Sequence, residues 1–162
     1  MPYDMTQIHE RLFVGSNITS VADIADLHAA GITNVIDANT DDESGMFPPG
    51  GTISLLVNPT LDDGTRKGTD WFTPAASFAI GCFIQPNAKL LCHCAAGINR
   101  GPSLAFMVLR MQGLSFIEAL VRINVKRPVT VGGVRYRFDA DAALFALGWI
   151  TNPTTSSAGS GD

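Results

Sequence analysis

Four short runs of large apolar and β-branched residues recur along the chain: "RLFVGS", "ITNVIDAN", "TISLLVNP" and "AKLLCHC". Glycine, proline, asparagine or aspartate bounds them, which is how strands are punctuated. The last run is nearly uninterrupted and predicts a central strand covered on both faces. Between the strands, "VADIADLHAA" and "DWFTPAASFAIGCFI" read as helices. Ser20 and Asp23 open the first at capping-box spacing, and Gly31 stops it. Asp70 is the expected cap of the second, with Pro74 tolerated in its first turn. "DDESGMFPPGG" and "TLDDGTRKGT" have loop composition. Three further helices, "PSLAFMVLRMQ", "SFIEALVRINVKR" and "YRFDADAALFALGW", fill the final third, with Ser115 and Glu118 at capping spacing. This order predicts an α/β fold: a central, mainly parallel sheet of four to five strands, flanked by helices, the last of them gathered on one face.

Composition narrows the class. The 162 residues are 46% hydrophobic, which suits one domain with a real core, over residues 3–150. Residues 151–162 are small, polar and rich in glycine and serine, and are expected to be a disordered tail. A net charge of −4 gives no global attraction to nucleic acid or to an anionic membrane. No apolar run is long enough to span a bilayer, and "MPYDMTQIHERL" lacks the plan of a signal peptide. Three cysteines, an odd number, read as free thiols in a reducing, cytoplasmic compartment. The oligomeric state is not legible.

The chemistry gathers in "LLCHCAAGINRGPS", residues 90–103. His93 and Cys94 end the central strand, and a helix begins near Arg100. Ligands of open α/β sheets bind beyond the C-terminal ends of strands. The small residues Ala95, Ala96, Gly97, Ile98 and Asn99 let successive backbone N–H groups turn inward, and the helix N-terminus adds positive potential. Arg100 brings a planar fork that matches two phosphate oxygens. The same donors that hold a phosphate favour a negative sulfur on Cys94. The residues therefore predict attack by sulfur on phosphorus and a phosphocysteine intermediate, with no metal or other cofactor required. Cys-x-Cys at 92 and 94 lacks the second pair of a zinc site. Cys82 and Cys92 are expected to pack in the core, as are Phe78, Phe83 and Phe106.

His-Cys-x5-Arg between a strand and a helix resembles the signature of the cysteine-dependent protein tyrosine phosphatase superfamily. "IHERLFVGS", "LHAAGITNVID" and the helices after the signature are similar to the small, atypical dual-specificity phosphatases, over most of residues 8–148. The resemblance implies hydrolysis of phosphotyrosine and phosphoserine/threonine on proteins or peptides. It implies that His93 orients the loop and tunes the thiolate without touching substrate, and that an aspartate on a separate loop protonates the leaving oxygen. Family spacing favours Asp62 as that acid, with Asp63 the alternative and Asp70 a weaker candidate.

The chain departs from the pattern at Gly101, where most members carry a serine or threonine whose hydroxyl helps the sulfur leave. Ser103 lies roughly 200° further round the helix and should not substitute. A slow second step is the expectation. The uncharged Ala95, Ala96 and Ile98 suggest an open, apolar mouth suited to aryl phosphates. Lys126, Arg127, Arg135 and Arg137, with Arg66 and Lys67, read either as a basic rim or as a solvated surface. Two other functions compete: an RNA 5′-phosphatase, a class that often has asparagine before the arginine as Asn99 is here, and a catalytically weak phosphate-binding module.

Overall fold

The computed structural model describes residues 2–151; the tail expected beyond Thr151 lies outside the described residues. Five strands form one sheet: β1 (Met5–His9), β2 (Leu12–Gly15), β3 (Asn34–Asp37), β4 (Ser54–Val57) and β5 (Leu90–His93). Their spatial order is β1-β2-β5-β3-β4. β1 runs antiparallel to β2 with an irregularity between Gln7 and His9, and the other pairings are parallel. The sheet is thus α/β and mainly parallel, as its pattern predicts. β5 lies between β2 and β3 and is buried along its whole length. Leu91 points to one face and Cys92 to the other, so both faces of an apolar run are used.

The helices divide unevenly. Helix α1 (Val21–Ala29) covers one face through Ile24 and Leu27, against Phe13, Val35 and Leu91. Ser20 and Asp23 make the reciprocal capping box, and Gly31 takes the positive φ of a helix stop. Helices α2 (Thr69–Ile84), α3 (Arg100–Met111), α4 (Phe116–Lys126) and α5 (Arg135–Ala146) build the opposite layer. Phe72, Leu104, Phe106 and Leu144 are its fully buried centre. Phe78 and Phe83 pack at its border. α3 is sandwiched, buried at every position from Arg100 to Leu109. No helix among the described residues is long and apolar enough to cross a membrane.

Local features depart from the sequence pattern. The pattern does not predict β1, because its residues are mixed in polarity and it is an edge strand. Helix α2 starts earlier than expected, with Gly68 as its cap and Asp70 inside its first turn. Pro74 therefore falls in the second turn and offers no N–H to the Asp70 carbonyl. Short 3-10 turns at Ser44–Met46 and Pro128–Gly132 interrupt segments whose composition predicts plain loop or connection.

Candidate active site

The segment after β5 folds as a loop from Cys94 to Asn99 that enters α3 at Arg100. Gly97, at φ +65, is where the chain reverses. A side chain there would be strained, and its Cβ would come 2.8 Å from the Gly15 carbonyl oxygen and collide with Arg127.

The loop is held by its carbonyls. Ala95 O accepts from the Asn17 N–H at 3.1 Å. Arg127 donates to Gly97 O through Nε at 2.8 Å and to Ala96 O through Nη2 at 3.3 Å. Arg137 donates through Nη2 to Ile98 O and through Nη1 to Asn99 O, each at 3.3 Å. Five successive carbonyls are thus tied to the surrounding scaffold. A trans peptide sets the C=O of one residue opposite the N–H of the next, and none of the described peptides is cis. The N–H groups of residues 96–100 consequently turn away from those ties, into the loop's concavity. N–H groups gathered by such outward anchoring can hold an anion.

Both arginines overturn the reading of a basic rim. Arg127 is 5% exposed and Arg137 fully buried. Arg127 is itself fixed by Asp4, at 2.7 and 3.0 Å, and by Thr6 at 2.9 Å. Arg137 also reaches Ser103 Oγ and the Gly133 carbonyl. Burial lowers its guanidinium to about 10, against the opposing pull of Cys94. Lys67 is buried too, not a rim residue, and pairs with Asp63 at 3.0 Å. Lys126, Arg135 and Arg66 remain exposed.

Cys94 is 3% exposed at the floor of the loop. Arg100 is buried behind it and tethered by one edge: Nη1 donates to Thr60 O at 3.0 Å and to Ala38 O at 3.3 Å. Its Nε has no partner among the described residues. A buried guanidinium with a free Nε keeps a donor for an arriving anion.

The two candidate acids are sorted by their partners. Asp62 Oδ1 accepts from Asn99 Nδ2 at 2.9 Å, which joins its exposed carboxylate to the signature loop. Asp63 is turned into its own loop, where it accepts from Thr65 N–H and Oγ1 and from Lys67 Nζ. The Thr65 hydroxyl and N–H, then Lys67, hold Asp63 well below the usual carboxylate range. Those bonds keep Asp63 within its own loop, whereas Asp62 reaches the signature loop. The acid loop is anchored from α5, where Tyr136 Oη accepts from Gly64 N–H at 2.8 Å and Asp139 from Lys67 N–H at 3.0 Å.

Gly101 sits where α3 crosses β5. A Cβ there would lie 3.0 Å from Cys92 O and 3.1 Å from His93 Cα. The missing hydroxyl thus coincides with close helix–strand packing. Ser103 is not free to replace it, because its hydroxyl donates to Asn99 O at 2.7 Å. His93 is fully buried, and burial lowers its imidazole to about 4, so the ring is neutral at neutral pH. Behind it lie Asp37 and Glu43, which sequence reasoning did not connect with the site. Cys82 and Cys92 are core thiols, and burial pushes Cys82 up to about 11.

No protein-family model matches the chain. It is 27% identical over 128 residues to human dual specificity protein phosphatase 21, covering 78% of this chain and 65% of that one. It is 26% identical over 126 residues to rat dual specificity protein phosphatase 18, covering 77% and 59%. Among solved structures, human DUSP28 superposes with a TM-score of 0.74 at 20% identity, over 91% of this chain and 97% of that one. The chain has the fold of the small dual-specificity phosphatases. It spans roughly three-fifths of the length of the curated dual-specificity phosphatases it matches. The human tyrosine phosphatase-like serine/threonine/tyrosine-interacting protein superposes equally well, at 0.74 and 20% identity over 91% of this chain and 99% of that one. That fold therefore carries members named as phosphatases and a member named only as phosphatase-like, so the residues of the site must decide the chemistry.

Proposed function

We propose that the protein hydrolyses phosphate monoesters on proteins, phosphotyrosine and phosphoserine/threonine alike, through a phosphocysteine intermediate. The phosphate sits in the nest of N–H groups from residues 96–100, gripped by the free edge of Arg100. Cys94 sulfur attacks phosphorus as the ester P–O bond breaks, and Asp62 gives its proton to the leaving oxygen. In the second step the Asp62 carboxylate takes a proton from water. That water's oxygen bonds to phosphorus, the S–P bond breaks, and thiolate and inorganic phosphate result. His93 acts on none of the reacting atoms; it fixes the strand end that carries the nucleophile. The chemistry calls on no metal. It needs Cys94 reduced, which suits a reducing compartment.

One observation supports this reading: five loop carbonyls are tied outward, Asp62 is joined to the same loop through Asn99, and Arg100 Nε is left without a partner among the described residues. An apolar mouth supports protein substrates. Ala95 and Ala96 are exposed, and Leu61 beside Asp62 is 61% exposed. Phosphate release from phosphotyrosine and phosphothreonine peptides, set against triphosphate-ended RNA, tests the assignment. Turnover of the peptides that is lost in Cys94→Ser is expected. Turnover of the RNA alone would transfer the site to an RNA 5′-phosphatase. No turnover of either, with phosphate still bound, would make it a binding module.

A further inference from the structure

Three side chains meet at the ends of β3 and β5, beside the signature loop. Asp37 ends β3, His93 ends β5, and Glu43 leads into the 3-10 turn at Ser44–Met46. His93 Nε2 lies 3.5 Å from Asp37 Oδ1 and 3.6 Å from Glu43 Oε2. One ligand atom from each of the three falls within 4.8 Å of the others. Those separations are too long for hydrogen bonds. The two separations from His93 are close to what a shared cation imposes, since ligands 2.0–2.1 Å from a tetrahedral zinc ion lie about 3.4 Å apart.

The unsatisfied atoms point the same way. His93 has no exposed surface, and neither ring nitrogen has a well-formed hydrogen bond among the described residues. Asp37 Oδ2 and Glu43 Oε2 are also buried without partners. Buried polar atoms that lack partners are rare, and two of these, His93 Nε2 and Glu43 Oε2, face each other 3.6 Å apart with nothing bonded to either among the described residues. Each carboxylate has its other oxygen pinned by a backbone N–H: Asn39 N–H donates to Asp37 Oδ1 at 2.8 Å and Ile18 N–H to Glu43 Oε1 at 3.1 Å. The side chains are thus held in place by the scaffold. A dication between them would offset the cost of burying two carboxylates side by side.

The geometry points to a divalent-cation site formed by Asp37, Glu43 and His93, of zinc type, that locks the segment after β3 onto the end of β5. The site is separate from the phosphoryl chemistry and does not depend on the phosphatase reading. Its imidazole and carboxylate donors suit zinc, and cobalt(II) serves as its spectroscopic stand-in. A cation here would stiffen the strand end that carries Cys94, and it would raise the unfolding temperature as metal concentration rises.

The test uses the full chain carrying Cys94→Ser, so that the nucleophile cannot ligate. Zinc and cobalt binding are measured by equilibrium dialysis and by the cobalt visible spectrum. One equivalent is expected, with a tetrahedral spectrum lacking a thiolate-to-metal band. Glu43→Gln and Asp37→Asn should each weaken binding by more than the roughly 100-fold that loss of a supporting outer partner costs. The unfolding temperature of the Cys94→Ser protein should climb with zinc, and that of Glu43→Gln should not. A folded Cys94→Ser protein that binds no zinc or cobalt would overturn the proposal. So would binding that Glu43→Gln leaves intact, or a thiolate band in the cobalt spectrum. The spectrum and stoichiometry of the Cys94→Ser protein decide the matter even if Asp37→Asn fails to fold.

Discussion

Replacing Arg127 by methionine should damage the phosphate-binding loop more than its distance in sequence suggests. The guanidinium ties Gly97 O at 2.8 Å and Ala96 O at 3.3 Å from one side, and Asp4 from the other. The short bond to Gly97 is charge-assisted, a class worth about 1.5–3 kcal/mol. The longer bond adds less than about 1 kcal/mol. The Asp4 carboxylate is 57% exposed, so solvent screening limits that pair to about 0.2–1 kcal/mol. The sum is about 3 kcal/mol of stability, of which about 2 kcal/mol belongs to the loop. Loop energy that must be regained at the transition state lowers kcat/KM about 30-fold, at 1.36 kcal/mol per decade. Arg127→Lys should keep much of the attraction to Asp4 but lose the fork to the two carbonyls. Its stability should therefore recover more than its kcat/KM. The assays are urea unfolding, kcat/KM for an aryl phosphate, and the inhibition constant of inorganic phosphate. A methionine variant that loses about 3 kcal/mol of stability yet binds phosphate and turns over like the native protein would refute outward anchoring as the origin of the nest.

Asp62→Asn should cost about 10²–10⁴-fold in kcat for alkyl phosphates, where the leaving oxygen needs the proton, and much less for nitrophenyl phosphate. Asp63→Asn should leave that leaving-group dependence unchanged, and the reverse pattern would reassign the acid. Gly101→Ser and Gly101→Ala should each lose about 1–3 kcal/mol of stability, because the new Cβ presses on the β5 backbone. Only the serine variant should shorten the life of the phosphoenzyme in rapid-quench assays. Asp4 gives the pH prediction: its hydrogen bond to Arg127 lowers its carboxyl below the ordinary 3.8. The stabilisation is therefore complete above the unfolded carboxyl range and fades as pH falls through the folded value. The stability gap between native protein and Asp4→Asn, below about 1 kcal/mol, should hold steady above about pH 5 and close in stronger acid. A gap that widens on acidification would contradict the assignment.

Much of the site was legible because its logic is local. A strand of uniform apolarity, a thiol at its end, glycine in the turn and arginine at the helix start all lie within residues 90–100. Capping at Ser20 and Ser115 was legible for the same reason, although only Ser20 completes the reciprocal box. What failed to show were contacts made across the chain. Arg127 and Arg137 look like surface charges in sequence, and only the fold reveals the backbone carbonyls that draw them inside. The choice between Asp62 and Asp63 rests on Asn99 and Lys67, one of them 37 residues away. Asp37, Glu43 and His93 belong to three separate segments, and nothing in their spacing joins them. β1 was missed because an antiparallel edge strand needs only one buried side chain, Ile8, to be held.

Stopped-flow hydrolysis of nitrophenyl phosphate, for the native chain and for Cys94→Ser, tests the central claim most directly. The account predicts a burst of nearly one equivalent of nitrophenol, then slow turnover set by a phosphocysteine that lacks its helping hydroxyl, with neither phase in Cys94→Ser. Phosphate release by the serine variant at the native rate would contradict it.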